Sequence, residues 1–245
     1  MSGNQKPIEV GGIEAIFRYP VKSMRGEPLE SGALGFHGLE GDRRLGLRRL
    51  DDRGGFPWLT AVRLPDLLRF TPLRRGDGES LPTHVRTPEG EELPLFGDAL
   101  AAEIRRRCGS PVEMTFLRQG IFDEASVSVI TSGTVQEICR LAERRTDVRR
   151  FRPNLLVSAP GLVPFGEDAW VGGVLRLGDT DDAPEVAVTL RDERCAMVNH
   201  DPDGGGPAPE MLKAVVRANG NHAGVYGTVT RAGRVSPGAP VLLRR

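Results

Sequence analysis

The chain has 245 residues, 39% of them hydrophobic and 27% charged, so it is long enough to bury a core and has an ordinary globular composition. Lysine and arginine together number 33, as do aspartate and glutamate, and this balance argues against a nucleic-acid-binding protein, which normally carries a basic excess. An aromatic content of 5% argues further against a surface on which bases stack.

Neither the N-terminal segment "MSGNQKPIEV" nor any later segment contains an apolar run of signal-peptide or membrane-spanning length. The chain has three cysteines, an odd number with no close spacing, which indicates neither a disulfide framework nor a CxxC zinc site. We therefore expect a cytoplasmic protein that binds neither membranes nor nucleic acids.

The first half of the chain predicts short strands separated by turns. The segment "GIEAIFRYP" alternates apolar and polar residues and stops at Pro20, and "RRLGLRRLDDRGG" and "PVEMTFLR" have the composition of further strands. One helix is predicted between them, with Asp98 as its N-cap and Gly109 as the residue that ends it. Its apolar face carries Leu100, Ile104 and Cys108.

The second half mixes strands and helices. A helix is predicted from about Ser132 to Arg145, and a shorter one is opened by Pro209 and closed near Gly220. Strands are predicted at "SVSVIT", "NLLVSA", "VLRLG", "EVAVTLRD", "AGVYGTVTRAG" and "APVLLR". So many short strands indicate a mainly β, α+β chain built from closed or nearly closed barrels with a few helices. The turn-rich stretch Arg118 to Glu124 marks the boundary between the halves.

The three cysteines differ in their surroundings. Cys108 and Cys139 fall on the apolar faces of helices, which is typical of small buried hydrophobic residues. Cys195 instead follows a strand that has turned polar and stands beside Arg194. A neighbouring cation favours the thiolate, and the end of a strand exposes the sulfur. The local sequence leaves a structural and a reactive role equally open.

Cations cluster where predicted strands end, in loops that commonly present ligands. Lys22, Ser23 and Arg25 follow the first strand, Arg43 follows "GD", and Arg152 precedes a proline. Charge-assisted hydrogen bonds from such groups suit a phosphate. The chain contains no Walker A sequence and no strand followed by GxGxxG, so a nucleotide loop is not indicated. The four histidines have no metal-ligand spacing.

The ordered set of these motifs resembles the MOSC-domain proteins that carry a preceding β-barrel domain, in particular the bacterial relatives of the mitochondrial amidoxime reducing component. The resemblance covers residues 11 to 243 and implies a β-barrel-like N-terminal domain over 11–118 and a MOSC β-barrel domain over 119–245. It is carried by "YPVKSMRG", "GDRRLGL", "LTAVRLPDLLRF", "RFRPNLLV", "PFGEDAW", "RLGD", "RCAMVNHDPDGG" and "GVYGTVTRAGRVSPGAPVLL".

The resemblance implies a pterin-based molybdenum cofactor, with Cys195 as the protein's sulfur ligand to the metal and as its catalytic residue. It also implies a small-molecule substrate and, since the chain carries no ferredoxin-like extension, a separate ferredoxin- or cytochrome-like electron donor. By motif position, the residues that would hold the pterin phosphate and polar ring edges are Lys22, Ser23, Arg43, Arg152 and Arg194, with Ser126 and Tyr226 as further candidates.

The chain departs from some of these relatives at two places. Arg44 and Leu45 stand where an aromatic residue often follows "GDR", and Glu193 places a negative charge beside the implied ligand. Three functions follow from the resemblance: reduction of N-hydroxylated compounds, sulfur transfer through a persulfide on Cys195, and non-catalytic binding of the cofactor. Candidates for a proton donor near the cysteine in sequence are Glu193, His200 and Asp201.

Overall fold

Strands dominate the computed structural model, which describes residues 6–76 and 81–245. Three α-helices accompany them in these ranges: α1 (Asp98–Cys108), α2 (Ser132–Leu141) and α3 (Glu210–Asn219). The strands are β1 (Ile8–Arg18), β2 (Glu27–Leu29), β3 (Gly32–Gly35), β4 (Gly38–Leu39), β5 (Leu45–Arg49), β6 (Thr71–Leu73), β7 (His84–Arg86), β8 (Glu92–Pro94), β9 (Val112–Phe116), β10 (Val127–Thr131), β11 (Leu155–Ser158), β12 (Val174–Leu177), β13 (Glu185–Glu193), β14 (His222–Arg231), β15 (Gly233–Val235) and β16 (Pro240–Arg244).

Seven strands form a closed barrel, and this confirms the predicted mainly β architecture with a few helices. The strands pair in the order β11, β10, β14, β13, β12, β16 and β1, and β1 pairs back with β11 to complete the ring. Every pairing is antiparallel except that of β10 with β11. The barrel interior is filled by branched apolar side chains, including Ile13, Val129, Leu155, Val186 and Val225.

The strand that closes the barrel comes from the start of the chain. In β1, Gly12 lies opposite both Ser158 of β11 and Pro240 of β16. All the other barrel strands lie after residue 126. The predicted division into residues 11–118 and 119–245 stays a prediction, but the pairing makes β1 part of the same barrel as the later strands.

The described residues between β1 and β10 form small sheets rather than a second ring. β5 pairs with β9, β6 to β8 form a three-stranded sheet, and β3 and β4 pair with the late strand β15. Below the first two of these sheets lies a separate apolar core, to which Leu47, Leu67, Phe70 and Ile104 belong. This second core gives the early loops a stable base of their own from which to reach the barrel.

The helices agree with the sequence patterns except at their ends. α1 ends at Gly109 in the left-handed conformation, as predicted, but it begins at Asp98 itself, so Asp98 is a helical residue rather than the cap. α2 ends at Leu141 instead of near Arg145, because Glu143 adopts a φ of 54° that no α-helix can accommodate. α3 follows Pro209 and ends at Gly220, as predicted.

α2 and α3 pack together on the outside of the barrel. Their shared core contains Ile138 and Cys139 from α2 and Met211 and Val215 from α3. This accounts for the predicted burial of Cys139, whose thiol pKa is raised by burial. No helix in the described part of the chain is both long and apolar enough to cross a membrane.

Candidate functional site

A cavity of about 610 Å³ lies between segments from both halves of the chain. The early segments that reach it follow β1, precede β5 and follow β5. The later ones precede β10, precede β11, and include the end of β13 with the residues after it and one residue of β14. Seven of the eight residues singled out from the sequence line this cavity: Lys22, Ser23, Arg43, Arg152, Arg194, Cys195 and Tyr226.

Cys195 is the exposed cysteine of the three. It follows the last residue of β13 in extended backbone and precedes a short 3-10 helix, Ala196–Asn199. Strand alternation continues through it, so that Glu193 and Cys195 are exposed while Asp192 and Arg194 are buried. The sulfur therefore faces the cavity at a strand end, whereas Cys108 is half-buried and Cys139 is fully buried.

Three cavity residues hold the backbone in a conformation that side chains other than glycine rarely adopt. Ser23, Arg43 and Arg152 have φ values of 66°, 50° and 51°. They make up half of the six non-glycine residues with positive φ in the described ranges. Each such residue costs roughly 1 to 3 kcal/mol, and such residues concentrate at binding sites, where the surrounding structure enforces them. The early and late loops are thus both shaped at the points where they meet the cavity.

Arg43 is held by a buried carboxylate. Asp42 has no solvent exposure, accepts a hydrogen bond from the Tyr19 backbone nitrogen, and accepts another from Arg43 Nη1 at 2.5 Å. Burial disfavours the guanidinium charge, but the Asp42 carboxylate outweighs burial and raises the pKa of Arg43. Arg43 Nη2 also donates to the Arg152 carbonyl oxygen at 2.9 Å, so this arginine ties the early loop to the late one.

The charge of Arg194 is also balanced by a buried carboxylate. Its Nε donates to the Ala223 carbonyl oxygen, its Nη1 donates to that of Phe151, and its Nη2 lies 2.8 Å from Asp192 Oδ2. Asp192 is buried, lines the cavity and accepts a further hydrogen bond from Ser128 Oγ at 3.0 Å. Burial raises the pKa of Asp192 to about 6, although Arg194 and Ser128 oppose that rise.

Arg152 is the exception among these buried arginines. Its Nη1 donates to the Met24 carbonyl oxygen at 2.8 Å, and its guanidinium stacks 4.2 Å from the centre of the Tyr19 ring. It is only 9% exposed, yet within residues 6–76 and 81–245 it has no ion-pair partner, unlike Arg43 and Arg194. Burial lowers its pKa to about 10. A buried, uncompensated cation in a cavity wall is suited to an anionic ligand.

Lys22 is buried and reaches across the cavity to an exposed partner. Its Nζ lies 2.7 Å from Asp123 Oδ1, in the segment that joins the two halves. Nζ also lies 5.3 Å from the centre of the Phe56 ring. Burial lowers the pKa of Lys22 although Asp123 acts in the opposite direction. Because Asp123 is exposed and Lys22 is not, an arriving anion could replace Asp123 at this nitrogen.

The remaining sequence-based candidates divide clearly. Tyr226 lines the cavity, and burial raises its pKa. Ser126 is not among the lining residues: its Oγ is buried and has no hydrogen-bond partner among the residues that the structure describes. Of the three residues considered as proton donors, Glu193 lines the cavity, whereas His200 and Asp201 do not.

Several residues that shape the site were not predicted from the sequence. Asp192 and Asp123 line it, and Tyr19 lies beneath the Arg152 and Arg43 guanidinium groups. Tyr19 and Asp42 stand within the quoted motifs "YPVKSMRG" and "GDRRLGL", so their motif positions were a usable signal. Asp123 and Asp192 offer no such signal, because their partners are distant in sequence.

The donor set of the cavity fits an anionic group that carries a metal able to take a thiolate ligand. A buried arginine without an acidic partner can receive a phosphate, and an exposed thiol can supply a sulfur ligand. Across the described ranges, no three or more His, Cys, Asp or Glu side chains are grouped so that they could hold a metal ion. The arrangement therefore offers one thiol and an anion site in the same cavity.

Comparison with known proteins adds a family match. A family model described as the MOSC domain matches residues 101–242, which is more than half of the chain. A search of curated proteins with this chain found no match. The YuaD protein from Bacillus subtilis is 16% identical and aligns over 98% of this chain and 97% of its own with a TM-score of 0.52, which shows similarity of fold alone. YiiM from Geobacillus stearothermophilus is 21% identical and aligns over 49% of this chain and 54% of its own, with a TM-score of 0.38.

Proposed function

Because this chain belongs to the MOSC domain family, we propose that it binds a pterin-type molybdenum cofactor in the cavity and reduces N-hydroxylated compounds. The family is linked in general to molybdenum-cofactor chemistry. The observation that carries the proposal is that the exposed sulfur of Cys195 and the uncompensated guanidinium of Arg152 line the same cavity.

Arg152 is the residue that we assign to the cofactor phosphate. Its burial has already removed the water that a surface arginine would have to lose, so a charge-assisted hydrogen bond to phosphate is strong there. Arg43 holds the Arg152 carbonyl and so positions the loop, while most of its own charge is balanced by Asp42. Lys22 becomes a second phosphate donor when Asp123 leaves its Nζ.

Cys195 is the residue that we assign to the metal. A thiolate is a soft ligand of the kind such a centre prefers, and the exposed sulfur needs no rearrangement of the core to reach it. The bound cofactor supplies the two-electron redox chemistry, and the protein supplies position and electrostatics. In the net reaction the N–O bond of an amidoxime breaks, two electrons arrive from a separate donor protein, two protons are taken up, and the products are an amidine and water.

Asp192 is the carboxyl group we assign to proton supply. It lines the cavity, and its pKa of about 6 allows a fraction of the molecules to hold a proton on this carboxyl near neutral pH. Its Oδ2 accepts from Ser128 and pairs with Arg194, which fixes the group in place. A general acid with a pKa near the working pH is the most effective kind.

The test begins with protein produced in a host that makes the cofactor. Metal analysis should find about one equivalent of molybdenum per chain, and the pterin should be released on denaturation. Benzamidoxime and a chemical reductant should then yield benzamidine, with the Cys195→Ser variant as the inactive control. Molybdenum without turnover would instead indicate a non-catalytic cofactor-binding module.

Sulfur transfer is the second candidate function, and the exposure of Cys195 favours it as well, because a persulfide must be accessible to its acceptor. Labelling for persulfides distinguishes the two functions. A persulfide on Cys195 in protein that contains no molybdenum supports sulfur transfer, whereas bound molybdenum with turnover supports reduction.

A further inference from the structure

Three charged side chains of the cavity belong to no ion pair in the described part of the chain, and their charges are distributed unevenly. Arg152 remains at the buried end, and Glu124 and Glu193 remain as exposed carboxylates, all three without an ion-pair partner in the described part of the chain. The compensated pairs are Lys22–Asp123, Arg43–Asp42, Arg150–Asp201 and Arg194–Asp192. The same cavity therefore presents an unbalanced positive charge at depth and two unbalanced negative charges near solvent.

Glu193 is held close to the implied metal ligand. It lies two residues before Cys195 on the same exposed face, and two residues of extended chain span about 7 Å. Asn221 Nδ2 donates to Glu193 Oε1 at 3.1 Å, and the Asn221 carbonyl accepts from the Arg194 backbone nitrogen. Asn221 itself has a φ of 75°. The Glu193 carboxylate is thus oriented by a fixed neighbour rather than left free in solvent.

Apolar side chains face the same opening. Phe56 and Val62 line the cavity although they are 49% and 46% exposed, and Met197 lines it from beside Cys195. Exposed aromatic and aliphatic groups in a concave site are typical of the surfaces that bind the body of a small molecule. The opening therefore combines an apolar wall with two carboxylates.

We propose that the substrate of this protein carries a positive charge beside an aromatic or aliphatic group, and that Glu124 and Glu193 select for that charge. This inference rests on the proposed reduction of N-hydroxylated compounds and names their class. The cofactor phosphate occupies the cationic depth, so the opening is left with net negative charge, which attracts cations and repels anionic competitors.

Two substrates of the same shape test the selection directly. In 4-(trimethylammoniomethyl)benzamidoxime a quaternary nitrogen takes the place of the quaternary carbon of 4-neopentylbenzamidoxime, so only the charge differs. For the molybdenum-loaded protein we expect kcat/KM to favour the cationic compound by about tenfold at low salt, and the preference to shrink as salt is added. Glu124→Gln and Glu193→Gln should each lower this ratio by about threefold to fivefold.

Glu30→Gln is the matched control, because Glu30 is exposed and lies outside the cavity, and it should leave the ratio unchanged. Binding provides a readout that needs no turnover: by calorimetry, benzamidine should bind more tightly than its neutral analogue benzamide, and the two glutamine variants should erase the difference.

The binding and turnover measurements test the charge selection and the proposed reaction independently. Equal binding of benzamidine and benzamide, or a substrate ratio that neither cavity variant lowers, overturns the charge selection even if the enzyme is active. Failure of the loaded protein to reduce either benzamidoxime overturns the proposed reaction, while the calorimetry still decides whether the opening prefers cations.

Discussion

The buried and exposed sides of the cavity are built differently. The floor consists of Arg43, Arg152, Asp192 and Arg194, each fixed by hydrogen bonds to the backbone or by an ion pair. The rim consists of Phe56, Val62, Glu124, Glu193 and Cys195, all exposed. Folding has already borne the cost of removing water from the floor charges, whereas the rim groups stay hydrated. Changes to the ion-paired floor residues Asp192 and Arg194 should therefore alter stability, whereas changes in the rim should alter function alone.

The largest expected effect belongs to the rim. Cys195→Ser should reduce N-reductive turnover to the background rate, because a hydroxyl is a poor substitute for a soft thiolate ligand. Its thermal unfolding midpoint should stay close to that of the wild-type protein, because the side chain is exposed. Activity assays paired with thermal scans check both statements. Full activity in this variant would show that Cys195 is not the ligand, and a large loss of stability would break the contrast between rim and floor.

Arg194→Met should cause the largest loss of stability in the floor. The substitution leaves the Asp192 carboxylate buried without its cation, and breaking such a pair typically costs about 3 to 5 kcal/mol. Denaturant unfolding at pH 7.5 measures the change. Arg191→Met, three residues earlier in the chain, is the matched control, since Arg191 is 44% exposed in its ion pair with Asp168 and the pair should contribute at most about 1 kcal/mol. Equal losses of unfolding free energy in the two variants would contradict a stabilising role for the buried ion pair between Arg194 and Asp192.

The pH dependence of stability reports on Asp192. Its pKa is about 6 in the folded protein against an ordinary value of 3.8, so the folded state holds this proton more tightly than the unfolded state does. Its stabilising contribution is therefore fully present below about pH 4 and is lost as the pH rises through 6. The difference between the two pKa values corresponds to about 3 kcal/mol.

Asp192→Asn removes this titration. The unfolding free energy of the wild-type protein minus that of the variant should therefore decrease as the pH is raised from 4 to 7.5. Unfolding free energies of both proteins at the two pH values measure the decrease. If the difference in unfolding free energy between the two proteins does not change with pH, the Asp192 carboxyl is more hydrated than its burial indicates.

Among the floor variants, Arg152→Met should have the smallest effect on stability. This guanidinium has no ion-pair partner within 6–76 and 81–245, so replacing it with an apolar side chain should change the unfolding free energy of the cofactor-free protein by no more than about 1 kcal/mol. Cofactor loading should nevertheless fall sharply, because the phosphate loses its buried cation. Molybdenum content after parallel expression measures this loss. Normal loading in the variant would remove Arg152 from the site.

Local pattern was sufficient for most of the elements and for the contrast between the buried Cys139 and the exposed Cys195, although Cys108 is half-buried rather than buried as predicted. Helical spacing and glycine stops predicted α1 and α3, and the polar end of β13 indicated that Cys195 is the exposed thiol. Lys22, Arg43 and Arg152 could be placed together only through the resemblance to a family, because no local feature relates loops separated by so much chain. The early end of α2 shows the limit of periodicity, since the apolar pattern continues past the residue whose backbone stops the helix.

The sequence by itself determined the barrel strands, the approximate positions of the three helices, the strand-end position of Cys195 and the supply of cations, because each depends on a few neighbouring residues. It did not reveal the short strands β2 to β4 and β6 to β8. Only the tertiary structure decided which of the buried arginines at the cavity has no ion-pair partner among the described residues. Lys22 meets Asp123 across 101 positions and Arg152 meets the Met24 carbonyl across 128, and β1 closes the barrel against strands from the far end of the chain. Charge compensation and barrel closure arise from contacts between distant segments, so neither can be read from any local stretch.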